Sequence, residues 1–150
     1  MTNTVLEVYE YLDSIAPFEL QESYDNAGLL VGDVEAVVTG VLICLDSTEA
    51  IIDEAIQKGC NLVIAHHPII FSGLKQLIGE NYIQRTIIKA IKNDIAIIAI
   101  HTNLDNVLTN GVNEMIASKL KMTNISILAP KNQDITGEVA GAGVVGGLPE

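Results

Sequence analysis

The chain has 150 residues, of which 49% are hydrophobic, and this size and composition suit one domain with a buried core. It contains 8 Lys and Arg residues against 19 Asp and Glu residues, and its formal net charge is -11. Since it has no basic cluster that could follow a phosphate backbone, direct nucleic-acid binding is disfavoured. The N-terminal stretch has no signal-peptide pattern, and no apolar run is long enough to cross a membrane, so we expect a soluble, cytoplasmic protein with no membrane partner.

The acidic surplus and the two cysteines say little about function. An acidic surface is compatible with binding divalent cations, but it is more typical of a surface that keeps a protein soluble. Cys44 and Cys60 each lie in an aliphatic stretch and are not at the spacing of a redox or zinc-binding pair. We therefore expect two buried, reduced thiols.

Predicted helices and strands alternate along most of the chain. Apolar residues at three- and four-residue steps predict a first helix over 4–15, which ends before Pro17. The second helix is expected between a capping Ser47 or Thr48 and Gly59. Two further helices are predicted, at 81–94 and 110–120, and five strands, at 37–46, 61–66, 95–101, 125–130 and 137–146. The polar segment 19–33 is interpreted as a loop.

The first three predicted strands are almost entirely apolar and do not alternate between apolar and polar residues. This pattern is typical of parallel strands that helices cover on both faces. We predict an α/β fold with a mostly parallel sheet, helices on both faces and right-handed crossovers in the order βαβαβα. Residues 1–150 are expected to form a single metal-binding domain, for the reasons that follow.

Polar side chains stand where each of these three strands ends. The first strand ends in Asp46, the second in His66 and His67, and the third in His101, with Asp105 shortly after it. In an open parallel sheet, ligands bind beyond the carboxyl ends of the strands. We therefore expect these five side chains to converge on one site.

Imidazole and carboxylate ligands together suit Zn, Mn, Fe, Co or Ni better than Ca or Mg. His66 and His67 can bind different ions, because adjacent residues that leave a strand point in diverging directions. The two oxygens of Asp105 could bridge a pair of ions held about 3.5 to 4 Å apart. The sequence thus predicts a site for divalent metal ions.

Other interpretations remain open at single positions. A lone buried histidine is more often a hydrogen-bonded core residue than a ligand, but an adjacent pair at a strand end favours metal binding. Asp46 is equally well explained as a residue near the cap of the next helix or as a support for a ligand. The run that starts at Asp25 and Asn26 favours a plain turn over a loop that lies across the sheet edge. Pro68 can end the strand, stiffen the following loop, or do both.

Three segments carry a resemblance to a known family: "YDNAGLLVGD", "AHHPIIFSGLK" and "HTNLDN". In order and spacing they resemble the Ngg-interacting-factor-three-like proteins, also called GTP cyclohydrolase type two homologues. The resemblance covers nearly the whole chain and implies a dinuclear metal centre in a two-part α/β fold, of which this chain resembles the first half. It also implies a homo-oligomer, usually a toroidal hexamer, and a metal-dependent hydrolytic activity.

By position in these motifs, His66 and His67 resemble ligands to separate metal ions, and Asp105 resembles a ligand that can bridge them. His101 resembles the additional active-site histidine, a candidate for proton transfer or substrate binding. Asp25 and Asn26 resemble the loop beside the site, and Asp46 a nearby acid.

One family feature has no counterpart in the sequence. Family members have a His-x-x-x-Glu ligand pair in their second half, whereas no histidine follows His101 here. We expect an expressed fragment, a split or truncated gene, or a natural half-length protein. Whether the chain is an enzyme is left open. The resemblance predicts a metal-dependent hydrolase with two divalent ions and a small-molecule or nucleotide-like substrate; the alternative is a non-catalytic metal-binding scaffold or regulatory assembly protein.

Overall fold

The computed structural model describes residues 2–131 and 139–149. They form a four-stranded mixed sheet with helices on both sides and a separate two-stranded antiparallel sheet. The helices are α1 (Val5–Ile15), α2 (Glu49–Lys58), α3 (Tyr82–Lys92), α4 (Thr102–Asn106) and α5 (Val112–Lys119), with a 3₁₀ turn at Phe18–Leu20. The strands are β1 (Gly28–Val31), β2 (Val41–Asp46), β3 (Leu62–His67), β4 (Ala96–Ala99), β5 (Thr123–Pro130) and β6 (Gly141–Gly147).

Local capping sets the ends of the first two helices. Thr4 and Glu7 form a capping box at the start of α1, in which each side chain accepts from the other residue's backbone N–H. The side chain of Thr48 accepts from the backbone N–H of Ile51 at the start of α2, and Gly59 ends that helix with a φ of 68°. Of the two predicted caps of α2, Thr48 is confirmed, whereas Ser47 is buried.

The four-stranded sheet has the order β1-β4-β3-β2. Strand β3 pairs in parallel with both β2 and β4, as predicted, while β1 pairs antiparallel with β4. The interpretation of 19–33 as a loop was therefore wrong over Gly28–Val31. Four residues on a sheet edge are too few to establish a periodic pattern, so β1 left no clear signal in the sequence.

The two faces of the sheet bury different halves of the core. On one face α1 and the 3₁₀ turn pack over Leu62 and Ile98. On the other face α2 and α3, through Ile52 and Ile87, pack over Val63. Because successive residues of a strand point to opposite faces, the apolar run that begins β3 serves both layers. The predicted α/β fold with helices on both faces is confirmed.

The last two strands form an antiparallel ribbon in which Ile127 lies opposite Val144. Residues 137 and 138 of the predicted final strand lie outside the described residues, and β6 begins at Gly141. Within the described part of the chain, no helix has both the length and the apolar character needed to cross a membrane.

Candidate metal centre

All three histidines of the chain lie together at the carboxyl ends of β3 and β4. His66 and His67 are the last residues of β3, and His101 directly precedes α4. The ring centroid of His66 lies 4.9 Å from that of His67 and 5.1 Å from that of His101. The centroids of His67 and His101 are 5.5 Å apart. One nitrogen from each ring can be chosen such that all three lie within 4.8 Å of one another. We call these residues the three-histidine cluster.

A backbone carbonyl orients His66. Its Nδ1 lies 3.0 Å from the carbonyl oxygen of Ile100, the residue that follows β4. Because a carbonyl oxygen only accepts hydrogen bonds, Nδ1 carries the proton in this contact. The neutral ring therefore keeps its lone pair on Nε2, the nitrogen that remains available as a ligand.

A carboxylate orients His67. Oδ1 of Asp46, the last residue of β2, lies 2.8 Å from Nδ1 of His67. Both side chains are partly open to solvent, with 45% of His67 and 61% of Asp46 exposed. The cap of α2 is Thr48. Of the two interpretations of Asp46, the structure therefore places it as the partner of a cluster histidine.

A buried carboxylate orients His101. Oδ1 of Asp25 lies 2.9 Å from Nδ1 of His101, and the Asp25 side chain has no exposed surface. Its other oxygen, Oδ2, accepts from the backbone N–H of Thr102 at 3.1 Å and also from the Thr102 hydroxyl. Burial raises the pKa of the Asp25 carboxyl, but hydrogen bonds from Thr102, His101 and the backbone N–H of Asn26 outweigh it, and the pKa lies below its usual range. Asp25 is thus an ionised acceptor at neutral pH.

The three rings share one arrangement, in which Nδ1 donates to a fixed oxygen and Nε2 is left as the ligand atom. Metal-binding histidines generally donate their second ring N–H to a carboxylate or carbonyl, which fixes the ring and increases its basicity. Three such imidazoles are a donor set that suits Zn and its first-row neighbours. The residues present therefore fit a divalent metal ion of that class.

The structure does not bring Asp105 into the three-histidine cluster. Asp105 lies in α4, where its backbone N–H donates to the carbonyl oxygen of His101 and its own carbonyl accepts from the Asn113 side chain. Asp105 thus lies one helical turn after His101, which directly precedes α4. A role for its carboxylate as a bridging ligand stays a prediction.

The segment around Asp25 is more than the plain turn that the sequence favoured. Besides the contact between Asp25 and His101, the Asn26 side chain donates to the carbonyl oxygen of Ile70 at 2.7 Å. The segment thus connects the loop after β3 to the residues after β4. The favoured interpretation was wrong, because these contacts lie between residues far apart in the sequence and leave no mark on local spacing.

Two further residues at the site were missed. Thr102 fixes Asp25 with both its backbone N–H and its hydroxyl. Phe71 stands beside the cluster with its ring centroid 6.0 Å from that of His101, in an edge-to-face arrangement. In the sequence, the one indication that Thr102 belongs to the site is its position directly after His101.

Two cavities border the four-stranded sheet, and only the smaller lies at the histidine end. One, of about 290 Å³, opens beside His67 and is lined by Asp46, Thr48 and Tyr82 among others. The other, of about 720 Å³, is mostly apolar and lies between α3, β1 and the loop after Ile70. The smaller cavity is the one that contacts the cluster, and it gives a small ligand access to His67.

Comparison with known proteins agrees with the geometry. The model of the family described as Duf34/NIF3 (NGG1p interacting factor 3) matches residues 3–150. The chain belongs to this family.

Three similar proteins are each longer than this chain. A GTP cyclohydrolase 1 type 2 homolog from Clostridium acetobutylicum is 39% identical over 135 residues, which are 90% of this chain and 50% of that protein. A homolog of the same name from Staphylococcus aureus is 47% identical over 124 residues, 83% of this chain and 33% of that protein. The crystal structure of a Bacillus cereus protein related to NIF3 superposes with a TM-score of 0.81 at 42% identity, covering 87% of this chain and 36% of that one. The chain thus spans half or less of the length of these NIF3 family relatives.

Proposed function

We propose that this NIF3 family protein binds two divalent metal ions at the three-histidine cluster and that the loaded site hydrolyses a small-molecule or nucleotide-like substrate. One observation supports the proposal above the others. In every cluster histidine Nδ1 is hydrogen-bonded to an oxygen atom, and this leaves Nε2 as the ligand atom. Core histidines that serve only packing have no reason to share this arrangement around a common centre.

Each residue has a distinct proposed role. His66 and His67 bind the ions through Nε2, and Asp105 adds a carboxylate that can bridge them. Bound ions would supply Lewis acidity and lower the pKa of a coordinated water. Asp46 and the Ile100 carbonyl keep the two ligand rings in the required orientation.

His101 is the proposed proton carrier. Its Nδ1–H is held by the ionised Asp25, and this leaves Nε2 to accept a proton and stabilises the imidazolium that results. A buried carboxylate that orients a histidine is the same arrangement that serves general bases in hydrolases. Phe71 borders the His101 ring, with the two ring centroids 6.0 Å apart.

A second candidate function is a metal-binding scaffold or regulatory assembly protein without turnover. The observation that favours it is coverage: the chain spans 50% of the Clostridium acetobutylicum relative and 33% of the Staphylococcus aureus one. If the unmatched part of those relatives supplies metal ligands or substrate contacts, another polypeptide would have to supply them here. We also propose that the protein is a homo-oligomer, with the hexamer as the expected size.

Turnover separates the two functions. The metal-loaded protein would be assayed against a panel of nucleotides and phosphoesters beside the variant His101→Ala, with metal content measured for both. The hydrolase proposal expects turnover that falls at least about a hundredfold in the variant, because the general base is lost. Equal, background rates in both proteins, with metal bound, would support the scaffold instead.

A further inference from the structure

The segment "HTNLDN" contains two buried asparagines that have no role yet in the candidate metal centre. Asn103 has no exposed surface, and Asn106 is 2% exposed. Both lie on α4, the short helix that begins directly after His101. A buried amide side chain costs free energy unless its oxygen and its nitrogen both find hydrogen-bond partners. The partners of each asparagine therefore show what it holds in place.

Asn103 joins the backbone of His101 to the end of α1. Its Oδ1 accepts from the backbone N–H of His101 at 2.8 Å, and its Nδ2 donates to the carbonyl oxygen of Ala16 at 2.7 Å. A backbone N–H only donates and a carbonyl oxygen only accepts, so a single orientation of the amide satisfies both bonds. Ala16, the residue that ends α1, is itself fully buried. Asn103 thus ties His101 to a fixed point in the core.

The backbone of His101 lies between β4 and α4 and is neither helical nor extended, with φ -121° and ψ -114°. Its carbonyl oxygen accepts from the backbone N–H groups of Leu104 and Asp105, and its N–H donates to the Asn103 side chain. Its Nδ1 is bound to Asp25. The backbone N–H, the carbonyl oxygen and Nδ1 thus each have a fixed partner, and Nε2 is the polar atom left for chemistry.

We infer that Asn103 is a positioning residue for His101. It fixes the peptide group from which the His101 side chain departs, and it thereby keeps the ring beside Asp25 on one side and beside His66 and His67 on the other. Such side chains function only when neighbouring hydrogen bonds hold them near their productive orientation. The effect on ring orientation is independent of metal and turnover, whereas the effect on turnover rests on the proposed role of His101 as proton carrier.

Asn106 is a control that matches Asn103 in burial and lies on the same helix. Its Nδ2 donates to the carbonyl oxygen of Leu20 at 2.8 Å and to Oε1 of Glu22 at 3.1 Å. These contacts hold α4 against the 3₁₀ turn and the residues after it, and they do not involve a histidine. Asn106→Ala therefore removes a comparable buried amide without releasing His101.

Asn61 is a second control that repeats the bridging chemistry at the other end of the sheet. Its Oδ1 accepts from the backbone N–H of Thr39 and its Nδ2 donates to the carbonyl oxygen of Val37, both at 2.8 Å. Asn61 directly precedes β3, whereas the histidines of β3 stand at its carboxyl end. Asn61→Ala thus removes the same pair of hydrogen bonds away from the three-histidine cluster.

The test is the position of the ring proton in the metal-free full chain, read from long-range ¹H–¹⁵N spectra of the histidines in mildly alkaline buffer. His101 of the unmodified protein should carry its proton on Nδ1, the form that its contact with Asp25 requires. In Asn103→Ala we expect a mixture of the Nδ1–H and Nε2–H forms, while Asn106→Ala and Asn61→Ala should keep the single form. A residue that only joined α4 to α1 would lower stability and leave the proton where it is.

Turnover gives a second readout. Asn103→Ala should lower the rate of the metal-loaded protein at least about tenfold, because a small displacement of a reacting group has effects of this size. Asn106→Ala and Asn61→Ala should keep the rate of the unmodified protein. If no protein turns over substrate, the hydrolase proposal fails, and the spectra still decide the role of Asn103.

Two further measurements cover the case in which Asn103→Ala does not fold. Asn103→Asp keeps an oxygen that can accept from the His101 N–H, so it should retain the single Nδ1–H form. In the unmodified protein, the His101 amide should exchange with solvent at least about tenfold more slowly than an unpaired amide.

Three results would overturn the inference. The first is a single Nδ1–H form of His101 in folded Asn103→Ala. The second is a mixture of forms in Asn103→Asp or in Asn106→Ala. The third is exchange of the His101 amide at the rate of an unpaired amide, which would show that Asn103 does not hold it.

Discussion

Asp25 and His101 are 76 positions apart in the chain, yet Oδ1 of Asp25 lies 2.9 Å from Nδ1 of His101. The contact depends on the segment before β1, which crosses the ends of the strands. Two hydrogen bonds hold that segment in place: the Glu22 backbone N–H donates to the Thr102 hydroxyl, and the Ala27 backbone N–H donates to the Gln21 side chain. A loop far from the histidines in sequence thus orients one member of the cluster.

Replacing Asp25 by asparagine should lower the turnover of the metal-loaded protein about 10- to 100-fold, the range typical for loss of a group that orients an active-site histidine. The amide keeps the volume but cannot accept from both His101 and Thr102, so the His101 ring loses its fixed orientation. The hydrolysis rate of the metal-loaded variant, measured against the panel of nucleotides and phosphoesters, checks this. Asp94→Asn is the control, because Asp94 precedes the amino end of β4 and has a φ of 53°, which asparagine tolerates. Equal turnover in all three proteins would contradict the role of Asp25.

Replacing Asp46 by asparagine should have a smaller effect, about tenfold or less in metal affinity. The pair formed by Asp46 and His67 is open to solvent, whereas Asp25 is fully buried, and water screens an exposed pair. Calorimetric titration with Co²⁺ measures the loss of metal affinity in Asp46→Asn, and its size is compared with the loss of turnover in Asp25→Asn. A larger loss in Asp46→Asn than in Asp25→Asn would show that burial does not decide which support matters.

Replacing Gly32 by alanine should lower the free energy of unfolding by about 2 to 4 kcal/mol. Gly32 has a φ of 118°, and a Cβ there would lie 2.5 Å from the Cβ of Ala96. In the alanine variant both the backbone at position 32 and the contact with Ala96 would therefore be strained. Urea unfolding measures the loss. Gly73→Ala, where an added Cβ meets no atom within 4 Å, should stay within about 0.5 kcal/mol of the unmodified protein. Similar losses in both variants would refute the steric argument.

Glu22 should contribute stability that depends on pH. Hydrogen bonds from Lys131, with Nζ 2.6 Å from Oε1, and from Asn106 hold the pKa of Glu22 below its ordinary value of 4.5. Since the unfolded chain then binds the proton more readily than the folded one, the contribution is present above pH 4.5 and is lost as the pH falls through the folded pKa. Glu22→Gln should therefore cost on the order of 1 kcal/mol at pH 7 and less at pH 3.

Unfolding free energies of the Glu22→Gln variant and the unmodified protein at the two pH values check this. Glu54→Gln is the control, because Glu54 forms only an exposed pair with Lys58 at 3.6 Å, and such pairs contribute little. A Glu22→Gln cost that does not change between pH 7 and pH 3 would contradict the sign of the linkage.

The sequence predicted the parts of the fold and site that follow from local pattern. The strands β2, β3 and β4 contain continuous apolar runs, and the helices between them have a clear apolar period. The rule that ligands bind at the carboxyl ends of parallel strands brought His66, His67 and His101 together. The five-residue helix α4 and the four-residue strand β1 were missed, because neither is long enough to establish a period. The pairing of Asp25 with His101 could not be derived from spacing, since a tertiary contact between two loops creates it.

The central claim is that the three-histidine cluster binds metal, and equilibrium dialysis with Co²⁺ tests it most directly. All three histidines of the chain belong to the cluster, so any imidazole ligation reports on this site. The unmodified protein should bind two Co²⁺ ions per chain, and His66→Ala and Asp105→Ala should each bind fewer, with the fold intact by circular dichroism. A stoichiometry that is the same in all three proteins would contradict the claim.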